Sequence, residues 1–150
     1  MSVRTLGLVL SLVVFCAASF LLVTASPVLV QPVSDPLGMP WGTLITWFGL
    51  LSLPALVYFL FPGLMQATTL LQRILKGLWL VSLILAVAWP LASFYLAGNW
   101  SYSFKPQEEF RGSTRASVYY WNLVKITALL PLGVFFGFLL DRFLRRTART

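Results

Sequence analysis

Four apolar stretches, each about long enough to cross a lipid bilayer, occupy most of this 150-residue chain. A helix needs about 20 apolar residues to cover the roughly 30 Å hydrocarbon core. Charged residues make up only 10% of the chain, whereas a soluble domain has about 25%. The sequence therefore predicts an all-α integral membrane protein, with four transmembrane helices in a bundle and residues 1–150 in a single domain. The predicted spans are 6–25, 41–61, 77–96 and 118–140.

The first apolar stretch has two interpretations. It follows a positive residue, Arg4, and ends in the small-residue sequence 23–25, which together are typical of a cleaved signal peptide. The apolar core of a signal peptide is usually about 7 to 15 residues long, and this stretch is longer. We therefore expect residues 1–25 to remain attached as the first span. Cleavage would leave three spans and the same orientation for the rest.

The distribution of Lys and Arg predicts the orientation, because cations near span ends are retained on the cytoplasmic side. Seven of them fall on one side of the predicted topology: Arg4, Arg73, Lys76, Arg142, Arg145, Arg146 and Arg149. The other side has Lys105, Arg111 and Arg115, offset by Glu108 and Glu109. We expect both termini to be cytoplasmic and the location to be a bacterial inner (plasma) membrane. Aromatic residues expected to anchor the opposite interface are Trp41, Trp100, Tyr102, Tyr119, Tyr120 and Trp121.

The segment 64–78, which connects the second and third spans, has an amphipathic pattern. At 100° per residue, an apolar stripe that includes Leu64, Leu71 and Leu75 opposes polar residues that include Arg73 and Lys76. This pattern predicts a short cytoplasmic interfacial helix whose two cations contact anionic lipid. A helical extension of the third span that packs on neighbouring loops would produce the same pattern.

The fourth span contains Lys125, the one charged residue inside a predicted span, with Asn122 one turn before it. A lysine at the centre of a membrane helix costs about 2.5 to 3.5 kcal/mol on insertion. Two arrangements relieve this cost. The side chain extends back to the interface, or it pairs with an acidic partner. Within the chain, that partner would be Asp35, Glu108 or Glu109 from the outer loops. Otherwise another subunit or a lipid phosphate would serve.

The same span contains Gly133 and Gly137, a small-residue pair four positions apart. Such a pair allows a second helix to approach closely. The two glycines lie on the same half of the helix as Asn122, which makes this half a candidate surface for another protein. Packing against the chain's own spans would use the glycines equally well.

The side chains that build most active sites are nearly absent. The chain has no histidine and only four carboxylates, which removes His-ligated haem, zinc–histidine sites and Ser–His pairs. Its single cysteine, Cys16, lies in the first span and excludes an intramolecular disulfide. We expect no enzymatic activity, no cofactor and no metal. The net charge of +7 is explained by topology, so nucleic acid is not an expected partner.

Two classes of function remain. The first is a noncatalytic accessory or scaffold subunit, or an assembly factor, of a larger membrane complex. The second is a small oligomeric transporter or channel, which needs polar groups along a path. The polar residues of the first three spans are few and scattered, so the first class is the expectation. The expected partners are the lipid bilayer, including anionic lipid, and other membrane-protein subunits.

Overall fold

The computed structural model describes residues 2–33, 38–100, 104 and 110–147, with the backbone alone at residue 146. These residues form four long helices and no sheet. All four helices are long and apolar enough to cross a membrane. The prediction of an all-α, multi-pass membrane protein with four spans is therefore confirmed. The helices are α1 (Val3–Val23), α2 (Trp41–Leu60), α3 (Leu70–Ala97) and α4 (Thr114–Thr147).

The ends of α1 are set by local capping. The side chain of Ser2 accepts a hydrogen bond from the backbone N–H of Thr5, which satisfies a donor that the first turn leaves without a partner. At the other end, Ala25 has a φ of 47°, and the N–H of Ser26 donates to the carbonyl of Leu21 at 3.1 Å. This is the left-handed Schellman end of a helix. Pro27 then prevents continuation of the helix.

The structure distinguishes between the two interpretations of segment 64–78. Residues from Leu70 onward belong to α3, whereas Leu64 ends a short 3₁₀ helix (Pro62–Leu64) that precedes it. A separate interfacial helix is therefore replaced by an extension of the third span. Thr69 determines where this extension begins. Its side chain accepts a hydrogen bond from the N–H of Gln72, which caps α3 so that the helix starts at Leu70 and continues without a break into the third span.

The four helices alternate in direction, so the predicted cytoplasmic cations that the structure describes meet at one end of the bundle; Arg149 and the side chain of Arg146 lie outside the described part. We call this the basic end and define it by Arg4, Arg73, Lys76, Arg142 and Arg145. At this end Arg4 contacts the last turn of α2, and Arg145 contacts the residue before α3. At the opposite end, the side chain of Thr43 donates to the carbonyl of Trp100 at 2.6 Å.

The apolar core lies between α2, α3 and α4, in the half of the bundle nearest the basic end. Its buried residues come from all three helices and the 3₁₀ turn: Val57, Phe61, Leu64, Leu75, Trp79, Val134 and Phe138. The rings of Phe61 and Phe138 stack with centroids 5.1 Å apart. The guanidinium of Arg142 lies 4.9 Å from the centroid of Phe61, a cation–π contact that covers the core.

A proline inside α3 is compensated by a tryptophan of α2. Pro90 has no N–H, so the carbonyl of Ala86 loses its usual partner in the helix. The indole Nε1 of Trp47 donates to that carbonyl at 3.0 Å. Because hydrocarbon offers no water to a freed carbonyl, this bond both satisfies the backbone and fixes α2 against α3.

We predict that Trp47→Phe destabilises the protein more in the native background than beside Pro90→Ala. Alanine at position 90 returns an N–H to the Ala86 carbonyl, so the indole bond becomes dispensable. Trp47→Phe should lower the free energy of unfolding by about 0.6 to 1.7 kcal/mol more in the native background than beside Pro90→Ala. This is the range for hydrogen bonds between membrane helices. Reversible unfolding in mixed detergent micelles measures it. Equal costs in both backgrounds would show that Trp47 acts only through packing.

The first helix, α1, packs principally on α2. Small residues allow the approach: the ring of Phe59 lies directly against Gly7, and a Cβ added at Gly49 would be 2.9 Å from the Cβ of Ala18. Ala18 is the single buried residue of α1. Most of α1 is therefore exposed to lipid or to another protein.

Candidate functional site

The fourth helix carries a continuous exposed face in its membrane-spanning part. We call it the α4 outer face and define it by Asn122, Lys125, Leu129, Gly133 and Phe136. These residues recur at intervals of three and four, which places them on one side of a helix. All five are exposed, and the exposed fractions of Leu129 and Phe136 are 62% and 63%. The face therefore combines a cation, an amide and apolar side chains on the surface of the bundle.

The two glycines of α4 have different surroundings. A Cβ added at Gly133 would meet nothing within 4 Å, whereas one added at Gly137 would lie 2.6 Å from Cδ2 of Leu75. Gly137 therefore permits the close packing of α4 on α3 inside the bundle. Gly133 leaves a shallow gap on the α4 outer face, which a side chain or helix from outside could fill.

Lys125 makes no ion pair or hydrogen bond with any residue that the structure describes. The candidate acids Asp35, Glu108 and Glu109 lie outside the described residues. Asp141 is on the same helix but 16 positions away, which is about 24 Å along the axis. The lysine is exposed.

A polar cluster at the basic end joins the start of α3 to the end of α4. Asp141 is 7% exposed and accepts a hydrogen bond from Nε2 of Gln72 at 2.8 Å. Its carboxylate also pairs with Nε of Arg145 at 3.1 Å, and Arg145 donates to the hydroxyl of Thr69 at 3.0 Å. The sequence analysis missed this cluster. The four-residue spacing of Asp141 and Arg145 was the signal available, since such pairs are neighbours on a helix.

The two predicted lipid-contact residues both lie in the first turns of α3. Arg73 is exposed. Lys76 is half-buried, and its Nζ donates to the carbonyl of Met65 at 3.2 Å. Both are at the basic end, on an extension of the third span rather than on a separate interfacial helix.

The cavities of the bundle differ widely in size. A cavity of about 10 Å³ lies at the end opposite the basic end, and its lining includes Thr43, Trp89, Ser93 and Tyr120. The indole Nε1 of Trp89 is buried there without a hydrogen-bond partner among the described residues. Larger cavities of about 310 and 230 Å³ are clefts between neighbouring helices at the side of the bundle. Within the described residues, no three His, Cys, Asp or Glu side chains lie together as metal ligands.

The fold defines the class of protein: a multi-pass membrane protein with four helical spans. No protein-family model, curated protein or solved structure matches the chain.

We predict opposite effects of the two glycine substitutions on stability. Gly137→Leu should lower the free energy of unfolding by about 1 to 3 kcal/mol, because the added side chain overlaps Leu75 and overpacks the α3–α4 contact. Gly133→Leu should leave it unchanged or raise it, because the site is open and glycine is a poor residue within a helix. Thermal unfolding in mild detergent compares them. Equal destabilisation by both would contradict the different surroundings of the two glycines.

Proposed function

We propose that this protein is a noncatalytic accessory or scaffold subunit, or an assembly factor, of a larger membrane complex. The observation that carries the proposal is Lys125 on the α4 outer face. It is a cation within a membrane span, exposed, and without an ion pair among the described residues. Next to it on the same face are an amide, Asn122, and the open gap at Gly133. A partner helix that carries a carboxylate would complement this arrangement.

The position of Lys125 determines what the partner must provide. It lies seven positions after Val118, where the span is expected to begin, which is about 10 Å along the helix. Extension of the side chain to the interface is the competing arrangement. In the proposed complex, the acid of the partner lies at the same depth, in the outer half of the bilayer. A second copy of this chain would place Lys125 opposite itself in a symmetric parallel pair, so the partner is a different protein.

The packing of the interior favours this role over transport. In the half of the bundle nearest the basic end, the space between α2, α3 and α4 is filled by the core that contains Phe61, Trp79 and Phe138. Buried serines bond to carbonyls of their own helices, as Ser82 does to Trp79 and Ser93 does to Pro90. These hydroxyls donate within their own helix, and the cavity that Ser93 helps to line has a volume of only about 10 Å³. The alternative, a small oligomeric transporter or channel, needs its path between copies of the chain.

We predict that Lys125→Leu and Gly133→Leu each reduce partner recovery when the tagged full chain is purified in mild detergent. The expected loss is roughly three- to tenfold, from the energies of polar contacts between membrane helices. Gly77→Leu is the matched control, because Gly77 is an exposed glycine of α3 with nothing within 4 Å of its added Cβ.

Three results would count against the proposal. Unchanged recovery in both α4 variants would remove the α4 outer face as the interface. An unchanged Lys125→Leu variant alone would mean that the lysine extends to the interface. A single homo-oligomer with no co-purifying protein would favour the transport alternative.

We also propose that both termini are cytoplasmic, in a bacterial inner membrane, with Arg73 and Lys76 in contact with anionic headgroups. The clustering of cations at the basic end supports this orientation, since Lys and Arg are retained on the cytoplasmic side. Reporter fusions after Thr150 and in the segment 101–109 measure it. The first should report cytoplasm and the second the opposite compartment. An extracytoplasmic signal after Thr150 would show that the proposed orientation or the number of spans is wrong.

A further inference from the structure

A cleft of about 360 Å³ lies at the basic end, where the first turn of α1 meets the end of α2. Its lining combines a cation, Arg4, and an amide, Gln66, with apolar and aromatic side chains that include Tyr58, Phe59 and Met65. The volume is in the range of small-molecule sites. The mixture of one cation with apolar walls, at the end of a membrane span, indicates a ligand that is itself amphipathic.

Arg4 is held in this cleft by the backbone of α2. Its Nε donates to the carbonyl of Phe59 at 2.7 Å. This carbonyl is in the last turn of α2, where a helix lacks internal donors, and Pro62 prevents continuation of the helix. The guanidinium has five N–H donors, and four of them belong to the two terminal nitrogens. A guanidinium held at Nε presents these nitrogens as a planar fork that matches the oxygens of a phosphate.

The charges around the cleft select an anionic ligand. Among the residues that the structure describes, its lining contains no carboxylate. Within the described part of the chain, the carboxylate at the basic end is Asp141, which is already bonded to Gln72 and Arg145. A zwitterionic headgroup would bring an ammonium group into a site that has no acid to receive it. A headgroup with a phosphate and uncharged hydroxyls has no such conflict.

We propose that this cleft binds one anionic phospholipid of the phosphatidylglycerol type. Arg4 binds the phosphate, Gln66 lies beside the headgroup, and Tyr58 and Met65 contact the glycerol and the first carbons of the acyl chains. The site is separate from Arg73 and Lys76, which lie on α3 and are not part of the lining. It does not depend on whether the α4 outer face binds another protein.

The test is native mass spectrometry of the purified full chain in a neutral detergent, titrated with phosphatidylglycerol or with phosphatidylethanolamine. We expect one tight phosphatidylglycerol adduct and weaker binding of phosphatidylethanolamine. Arg4→Gln should weaken the tight adduct about tenfold, the effect of losing a hydrogen bond to a charged group. Arg4→Lys should weaken it less, because it keeps the charge and loses the fork. Arg142→Gln is the control, since Arg142 is exposed at the same end and its replacement removes the same charge outside the cleft.

Several results would overturn the proposal. Equal weakening by Arg4→Gln and Arg142→Gln would show that the lipid responds only to net charge at the basic end. Equal binding of the two lipids would remove the headgroup selectivity. Displacement of the lipid by an equal concentration of inorganic phosphate would make the cleft a phosphate site. If Arg4→Gln fails to elute as a folded species, Arg4→Lys decides, and an unchanged adduct in that variant contradicts the role of the fork.

Discussion

Every backbone polar group within the hydrocarbon must find a partner inside the protein, and the architecture of this chain follows from that constraint. Helices satisfy it except where a proline interrupts them, and three of the four helices contain a buried proline. At Pro90, a neighbouring helix supplies the missing donor through Trp47. The indole of Trp79 donates to the carbonyl of Pro54 at 2.8 Å. This second bond joins α3 to α2, but it does not replace the donor that Pro54 lacks, since a proline frees the carbonyl four residues before it. Two tryptophans thus join α2 to α3 by hydrogen bonds, whose directionality apolar side chains cannot provide.

The two ends of the bundle are held together differently. At the basic end, a nearly buried carboxylate is shared by Gln72 and Arg145, and the cation of Arg142 covers an aromatic core. At the other end, aromatic contacts dominate: the rings of Phe94 and Trp100 stack at 4.5 Å, and Tyr120 is buried against its neighbours rather than exposed at the interface. The basic end therefore adds charge and hydrogen bonds to its apolar core, whereas ring contacts are more prominent at the opposite end.

The sequence was sufficient for the number and type of helices, because the bilayer imposes a length and a hydropathy that can be read residue by residue. It was insufficient for the neighbours of each helix. The amphipathic pattern of residues 64–78 resembles a surface helix, yet Gln72 on its polar side faces Asp141 and Leu75 on its apolar side enters the core. The spacing of Gly133 and Gly137 likewise cannot show that one faces α3 and the other faces outward. The sequence identified Arg4 only as a positive charge near the start of a span. It could not predict the hydrogen bond that orients the guanidinium, because the accepting carbonyl lies 55 positions away in the chain.

The composition of the core has a consequence for how the protein is made. Its residues come from α2, the 3₁₀ turn, α3 and α4, with none from α1. A chain that leaves the ribosome from its amino end therefore inserts α1 and α2 as a hairpin long before any of the core can close. The core is complete only when α4 has entered the bilayer. A nascent chain stalled before that point would leave Phe61 and Trp79 exposed to other membrane helices. Insertion of α4 covers these residues and so ends the period in which they can form incorrect contacts.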